Sequence, residues 1–310
     1  MSTEYWLYLI IGLVVFNYLF STVLDFINDK NWRNEIPPEM KDYYDEEKYV
    51  KAKNYAKEKG RISLISSTLS TLITILFLSL QGYGWLDNII SNYYDIPFLQ
   101  SGFFFLTLFI LGDFISIPFS CYNTFVIEEK YGFNKTTVKT FVVDKIKGYL
   151  LTLIIGGGLL AGALYLVTIL SNGFWVWLWI GLAILMLLIN MFYADLIVPI
   201  FNKLTPLDRG SLREKIETYT KKVGYSLKNI YIIDGSKRSS KANAFFSGLG
   251  PRKTIALYDT LVEKHSEEEL VAVLAHEVGH FKKKHGFSGL LMSIIQIGIM
   301  TFFFELCLKL

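Results

Sequence analysis

Six apolar runs constrain this 310-residue chain more than any other feature. They cover about 5–24, 62–80, 98–119, 149–170, 174–201 and 287–308. Each approaches or exceeds the roughly 20 residues that a helix needs to cross the hydrocarbon core of a bilayer. With 52% of its residues hydrophobic, the chain is also too apolar for an ordinary soluble domain of this length. Burying six such runs as core helices of one globule is a poor alternative. The first run carries Glu4 and no basic residue ahead of it, so it is expected to stay as a membrane helix rather than to be a cleaved leader.

The connections between the runs carry the charge. Lys and Arg number nine in 25–61, five in 120–148 and sixteen in 202–286, and Lys309 completes the 31. The connections at 81–97 and 171–173 hold none. This asymmetry predicts an N-terminus outside and the loops after the first, third and fifth helices in the cytoplasm. The net charge of +3 and the scattered basic residues give no nucleic-acid-binding stripe. Cys121 and Cys307 stand alone, with neither metal-ligand spacing nor a disulfide framework. The polar stretch before the second run reads as a solvated helix stopped at Gly60.

The segment 202–286 reads as a small α/β subdomain. "SLREKIETYTKKVG" is an amphipathic helix with Ser211 and Glu214 at capping-box spacing and Gly224 at its end. "NIYIID" is a short strand, and "SKANAFFSGLGPRKTIALYDTLVE" predicts two strands joined by a turn at 248–253. In "HSEEELVAVLAHEVGHFKKKHG", Ser266 and Glu269 form a second capping box, ahead of an apolar face at Leu270, Val273 and Leu274.

That last helix contains His276-Glu277-x-x-His280. Residues four apart share one face of a helix, so the two histidines can reach one metal ion. Zinc in a hydrolase takes three protein ligands and keeps a position open for water. Bound zinc brings the pKa of water down to about 7, and Glu277 is placed to take the proton and pass it to the leaving amine. Chance occurrence of this pattern in a chain with four histidines is rare.

The third ligand is harder to find. His285 follows His280 by five residues, which on a continuing helix is about 140° around the axis. It therefore reads as a cytoplasmic interface residue rather than a ligand, and "FKKK" offers no turn residue to change that. His265 precedes the cap and reads as solvated. Glu305, the only glutamate after His280, lies about 29 Å along a straight helix from Gly286, out of reach of the site.

Five stretches, in order, resemble the type I CAAX prenyl endopeptidases, integral-membrane zinc proteases of the gluzincin type. They are "FVIEEKYGFNKTT" at 125–137, "PIFNKLTPL" at 199–207, "SSKANAFFSGL" at 239–249, "KTIALYDTL" at 253–261 and "VAVLAHEVGHFKKKHG" at 271–286. The resemblance implies a mostly α, polytopic membrane protein: six transmembrane helices of an expected seven, around a water-filled chamber, with a zincin-like cytoplasmic subdomain. It implies one zinc ion on His276 and His280, with Glu277 as general base. It further implies that Asn243, Ala244, Phe245 and Phe246 form a strand that pairs with an extended substrate, a mode in which main-chain hydrogen bonds hold the peptide. The family's third ligand is a glutamate after a seventh helix, so the chain is expected to be part of a longer one. Asp113 and Asp195, ionisable groups at membrane depth, are expected to face the chamber.

The expected organisation is a membrane domain at 1–201, a catalytic subdomain at 202–286 and a sixth transmembrane helix at 287–310. The expected activity is a zinc metalloendopeptidase with its active segment on the cytoplasmic side of a bacterial inner membrane or the endoplasmic reticulum. Its partners are the lipid bilayer and a peptide or membrane-protein substrate, C-terminally prenylated or otherwise. A membrane quality-control protease and an inactive fragment of one are the alternatives. A transporter with a chance HExxH predicts no zinc and paired broken helices, and "IIGGGLLAGALYL" has no partner repeat.

Overall fold

The computed structural model describes residues 3–33, 35–170, 172–224, 229–247 and 253–309. Its contacts divide the chain into two units, Met1–Asn134 and Lys135–Leu310. Among the described residues six helices are long and apolar enough to cross a membrane: Glu4–Asn31, Glu46–Ser79, Pro97–Glu128, Val138–Ile169, Phe174–Phe201 and His285–Leu308. They match the six runs in number and order.

The first unit contains α1 (Thr3–Asn31), α2 (Glu46–Ser79), α3 (Gly82–Ser91) and α4 (Pro97–Tyr122), the last continuing through a π-helical stretch at Asn123–Glu128. The Asp45 side chain caps α2 by accepting from the Lys48 N–H at 2.9 Å. The helix does not stop at Gly60, contrary to the sequence expectation, and runs unbroken from its polar end into its apolar one. An interior glycine costs a helix about 1 kcal/mol, too little to end one flanked by strong helix formers and anchored at its polar end. That end is held to the π-helical stretch and the turn after it. Tyr55 donates to Glu128, Lys130 pairs with Glu58 at 2.5 Å, and the Tyr55 ring meets Tyr131 and Phe133 edge-on.

The second unit joins membrane helices to a sheet. α5 (Val138–Ile169) is capped by Thr137, whose hydroxyl accepts from the Thr140 N–H. α6 (Phe174–Phe192) passes through a π-helical turn at Tyr193–Ile197 into the short α7 (Val198–Phe201). There follow β1 (Leu204–Pro206), α8 (Ser211–Lys222), β2 (Asn229–Ile233), β3 (Ala244–Ser247), β4 (Thr254–Tyr258), α9 (Asp259–Val262), α10 (Glu267–Lys282) and α11 (His285–Leu308). The strand order is β1-β2-β4-β3; β2 and β4 are parallel and the outer pairs antiparallel. The two strands expected in "NAFFSGLGPRKTIALY" are β3 and β4, and most of the expected turn, 248–252, lies outside the described residues.

The subdomain core forms where α8 and α10 cover one sheet face. Ile216, Ile255, Leu257, Leu270 and Leu274 are fully buried there, with Ala244 and Phe246 of β3 packed against them. A fork from Arg238 ties this subdomain to α5: its Nε and Nη2 donate to the two Asp144 oxygens at 2.7 and 2.8 Å, and Nη2 also reaches the Phe201 carbonyl. Bidentate charge-assisted pairs of this kind fix orientation as well as distance.

Candidate active site

The polar ends of α8 and α10 are stitched together. Ser266 and Glu269 make the expected reciprocal box: the Ser266 N–H donates to Glu269 at 2.9 Å, and the Glu269 N–H donates to the Ser266 hydroxyl at 3.3 Å. The expected box at Ser211 does not form. Gly210 takes the cap position of α8, and the Ser211 hydroxyl instead donates to Glu267 of α10. Lys215 completes the junction, 2.7 Å from Glu267 and 2.5 Å from Glu268. With Gly210 as the cap, the Glu214 N–H already bonds the Gly210 carbonyl at 3.0 Å, and the Ser211 hydroxyl is left to donate to a charged carboxylate, the stronger kind of hydrogen bond.

These contacts make the junction acid-sensitive. Hydrogen bonds from Lys215, then from Ser211, hold the Glu267 carboxyl below its ordinary pKa, and Lys215 lowers Glu268 in the same way. A depressed carboxyl pKa contributes stability that is present above the unfolded pKa and lost as pH falls through the folded one. The expected result is a melting temperature that declines below about pH 4.3, the ordinary glutamate value. Lys215→Met should make that decline slightly shallower when melting is followed from pH 7 to pH 3, since Asp144, Glu217 and Glu269 are lowered by other partners and still contribute. An unchanged pH dependence in the variant would remove the junction from this role.

α10 has two working faces. Leu270, Leu274 and Val278, spaced by four, are buried to within 1% and anchor the helix on the sheet. His276 and His280 stand on an exposed face, with Glu277 half-buried beside them. The Nε2 atoms of the two histidines are 3.1 Å apart. Two imidazole nitrogens bound tetrahedrally to one zinc, each at 2.0–2.1 Å, would be about 3.3 Å apart. The donor type and spacing therefore fit zinc.

Among the described residues no group of three His, Cys, Asp or Glu side chains could hold a metal. Glu305 is far from this role, as expected: its carboxylate accepts from the N–H groups of Gly173 and Trp175 at 2.9 and 3.1 Å, at the start of α6. His285 behaves differently from the sequence expectation. α10 does not continue into it; Lys284 takes the left-handed conformation, φ 57°, between α10 and α11. The bend brings His285 Nδ1 to 2.8 Å from His280 Nδ1, on the side of the ring away from His276. Sequence alone missed this because a left-handed lysine, which costs about 1–2 kcal/mol, leaves no glycine or asparagine as a marker.

β3 is one of the two edge strands of the sheet, at the end opposite β1. The Tyr258 N–H donates to the Asn243 carbonyl at 3.0 Å, so antiparallel alternation turns the main-chain groups of Ala244 and Phe246 away from β4. On that side the Ala244 N–H is held by the Asn243 side chain at 2.9 Å. Asn243 and Phe245 also line a cavity of about 500 Å³ whose other walls include Tyr193, Ile197, Phe201 and Tyr258. The Tyr193 ring meets Phe245 edge-on at 5.9 Å. Asp195 lies in the π-helical turn that supplies Tyr193, and Asp113 lies in α4, its carbonyl accepting from Ser116.

Residues 25–203 match the family described as CAAX prenyl protease N-terminal, five membrane helices, and residues 206–309 match peptidase family M48. The probable CAAX prenyl protease 1 of Schizosaccharomyces pombe is 36% identical over 87% of this chain and 59% of its own length. The CAAX prenyl protease 1 of Saccharomyces cerevisiae is 33% identical over 90% and 64%. The crystal structure of S. mikatae Ste24p superposes with a TM-score of 0.88 at 32% identity, over 97% of this chain and 71% of that one. The chain thus spans about three-fifths of the length of the two yeast relatives. With both halves matched in sequence and the arrangement matched in structure, this integral membrane protein belongs to peptidase family M48, among the CAAX prenyl proteases.

Proposed function

We propose that this chain carries the water-activating centre of a zinc-dependent endopeptidase acting on membrane-associated peptides, including C-terminally prenylated ones. The observation that carries the reading is the His276–His280 pair, 3.1 Å apart on the exposed face of α10 with Glu277 beside it. His276 and His280 would hold the ion through Nε2, supplying two of the three protein donors of an open zinc site. When bound, zinc supplies Lewis acidity that polarises a peptide carbonyl and acidifies water. Glu277 accepts the proton of the attacking water and returns it to the leaving amine.

The substrate lies along β3 as an added strand, bonded to the outward main-chain groups of Ala244 and Phe246. Asn243 gives up its hold on the Ala244 N–H as the peptide arrives. Side chains of an added strand alternate between faces, so every second one points toward the cavity lined by Phe245 and Tyr193. The sixteen basic residues of 202–286 support a cytoplasmic side for the active segment.

The test uses the full gene product purified in detergent. One zinc per chain is expected, with most of it lost in His276→Ala. A farnesylated C-terminal peptide should be cleaved, and its unprenylated counterpart shows whether the lipid is read. Equal cleavage of both would favour a quality-control protease. Zinc bound with no cleavage of any membrane peptide would overturn the reading.

A further inference from the structure

We propose that His285 is a positioning residue for the metal site: its Nδ1 accepts the Nδ1–H of His280 and so fixes the ring that presents Nε2 beside His276. The inference deepens the proposed zinc site and rests on that reading. His280 uses its two nitrogens in opposite directions. Nε2 faces His276 Nε2 at 3.1 Å, and Nδ1 faces His285 Nδ1 at 2.8 Å. The His280 and His285 ring centroids are 5.0 Å apart, with planes crossed at 67°.

A neutral imidazole has one N–H and one bare nitrogen. To offer Nε2 as a donor atom to a metal, His280 must keep its proton on Nδ1. That N–H then needs an acceptor, and His285 Nδ1 is within hydrogen-bond distance of it. The arrangement makes His285 donor-side silent at Nδ1, with its own proton on Nε2. Partners of this kind set the tautomer and the ring angle of a metal-binding histidine.

The backbone is shaped for this contact. On an unbroken helix His285 would point about 140° away from His280. Instead the Lys283 N–H closes the last turn of α10 on the Gly279 carbonyl, Lys284 reverses to φ 57°, and the Ser288 N–H starts α11 on the Lys284 carbonyl. The left-handed residue sits directly before the histidine it redirects.

The experiment uses the full gene product in detergent with ¹⁵N-labelled histidine. Zinc affinity is measured by chelator competition, and the ¹⁵N shifts of His280 report its tautomer with and without zinc. His285→Leu removes the acceptor; His285→Gln keeps one in its side-chain carbonyl. We expect the Leu variant to bind zinc about 10–100-fold more weakly and to lose the single Nδ1–H tautomer of His280, and the Gln variant to recover most of both. Equal zinc affinity in wild type and Leu variant would overturn the proposal, as would Gln being no better than Leu. Should the Leu variant fail to fold, the wild-type spectrum decides: metal-free His280 protonated mainly on Nε2 refutes the proposal. A wild-type chain that binds no zinc yet shows the Nδ1–H tautomer would sink the zinc reading and leave the His280–His285 contact standing.

Discussion

Glu277→Gln should leave zinc content unchanged and lower kcat on a cleavable peptide by about 10²–10⁴-fold, the usual contribution of a positioned general base. The substitution keeps the size of the side chain and removes its ability to take a proton. Glu277 is not part of the His276–His280 donor pair, and the buried stripe of Leu270, Leu274 and Val278 holds α10 without it. Binding of metal and binding of peptide are therefore expected to survive. Zinc by elemental analysis, KM and kcat on the same preparation separate the possibilities. A loss of zinc would make Glu277 a ligand or a support for one. Retained zinc with retained turnover would remove it from the chemistry.

Glu305→Leu should destabilise the second unit by about 2–5 kcal/mol, read as unfolding in mixed detergent micelles. Glu305 is 5% exposed. It accepts from two N–H groups at the start of α6, and Lys309 pairs with it. Those first N–H groups have no partner within their own helix, and the cap residue, Gly173, has no side chain to offer. Leucine leaves both donors unsatisfied where α6 and α11 pack together. Lys309→Met is the control: Lys309 is 44% exposed, and an exposed ion pair contributes about 0–1 kcal/mol. A Glu305→Leu protein as stable as the parent would show that water or lipid headgroups, rather than Glu305, satisfy the start of α6.

The membrane helices were legible because each is a local property. A run of about 20 apolar residues has few other stable solutions, and the structure finds six such helices in the expected order. The faces of α10 were legible for the same reason. Apolar residues four apart put Leu270 and Leu274 inward, and the same period puts His276 and His280 together on another face. The Ser266–Glu269 box is read within four residues and forms as expected.

What sequence could not show is where a group with two possible partners would go. Ser211 had Glu214 nearby and bonded to Glu267 of another helix. Gly60 looked like a stop, but α2 continues through it from a capped and anchored polar end. Glu305 was excluded as a metal ligand by distance along the chain, yet its use as the cap of α6 joins positions 132 residues apart. His285 was placed by counting along a helix that the structure breaks at Lys284. Sequence by itself determined the spans, the short strands and the two histidines on one helical face, because periodicity and capping act over a few residues. Only the tertiary structure decided the edge position of β3, the carboxylate cap on α6 and the His280–His285 contact. Each depends on atoms brought together by packing or by a backbone reversal, for which residue spacing leaves no mark.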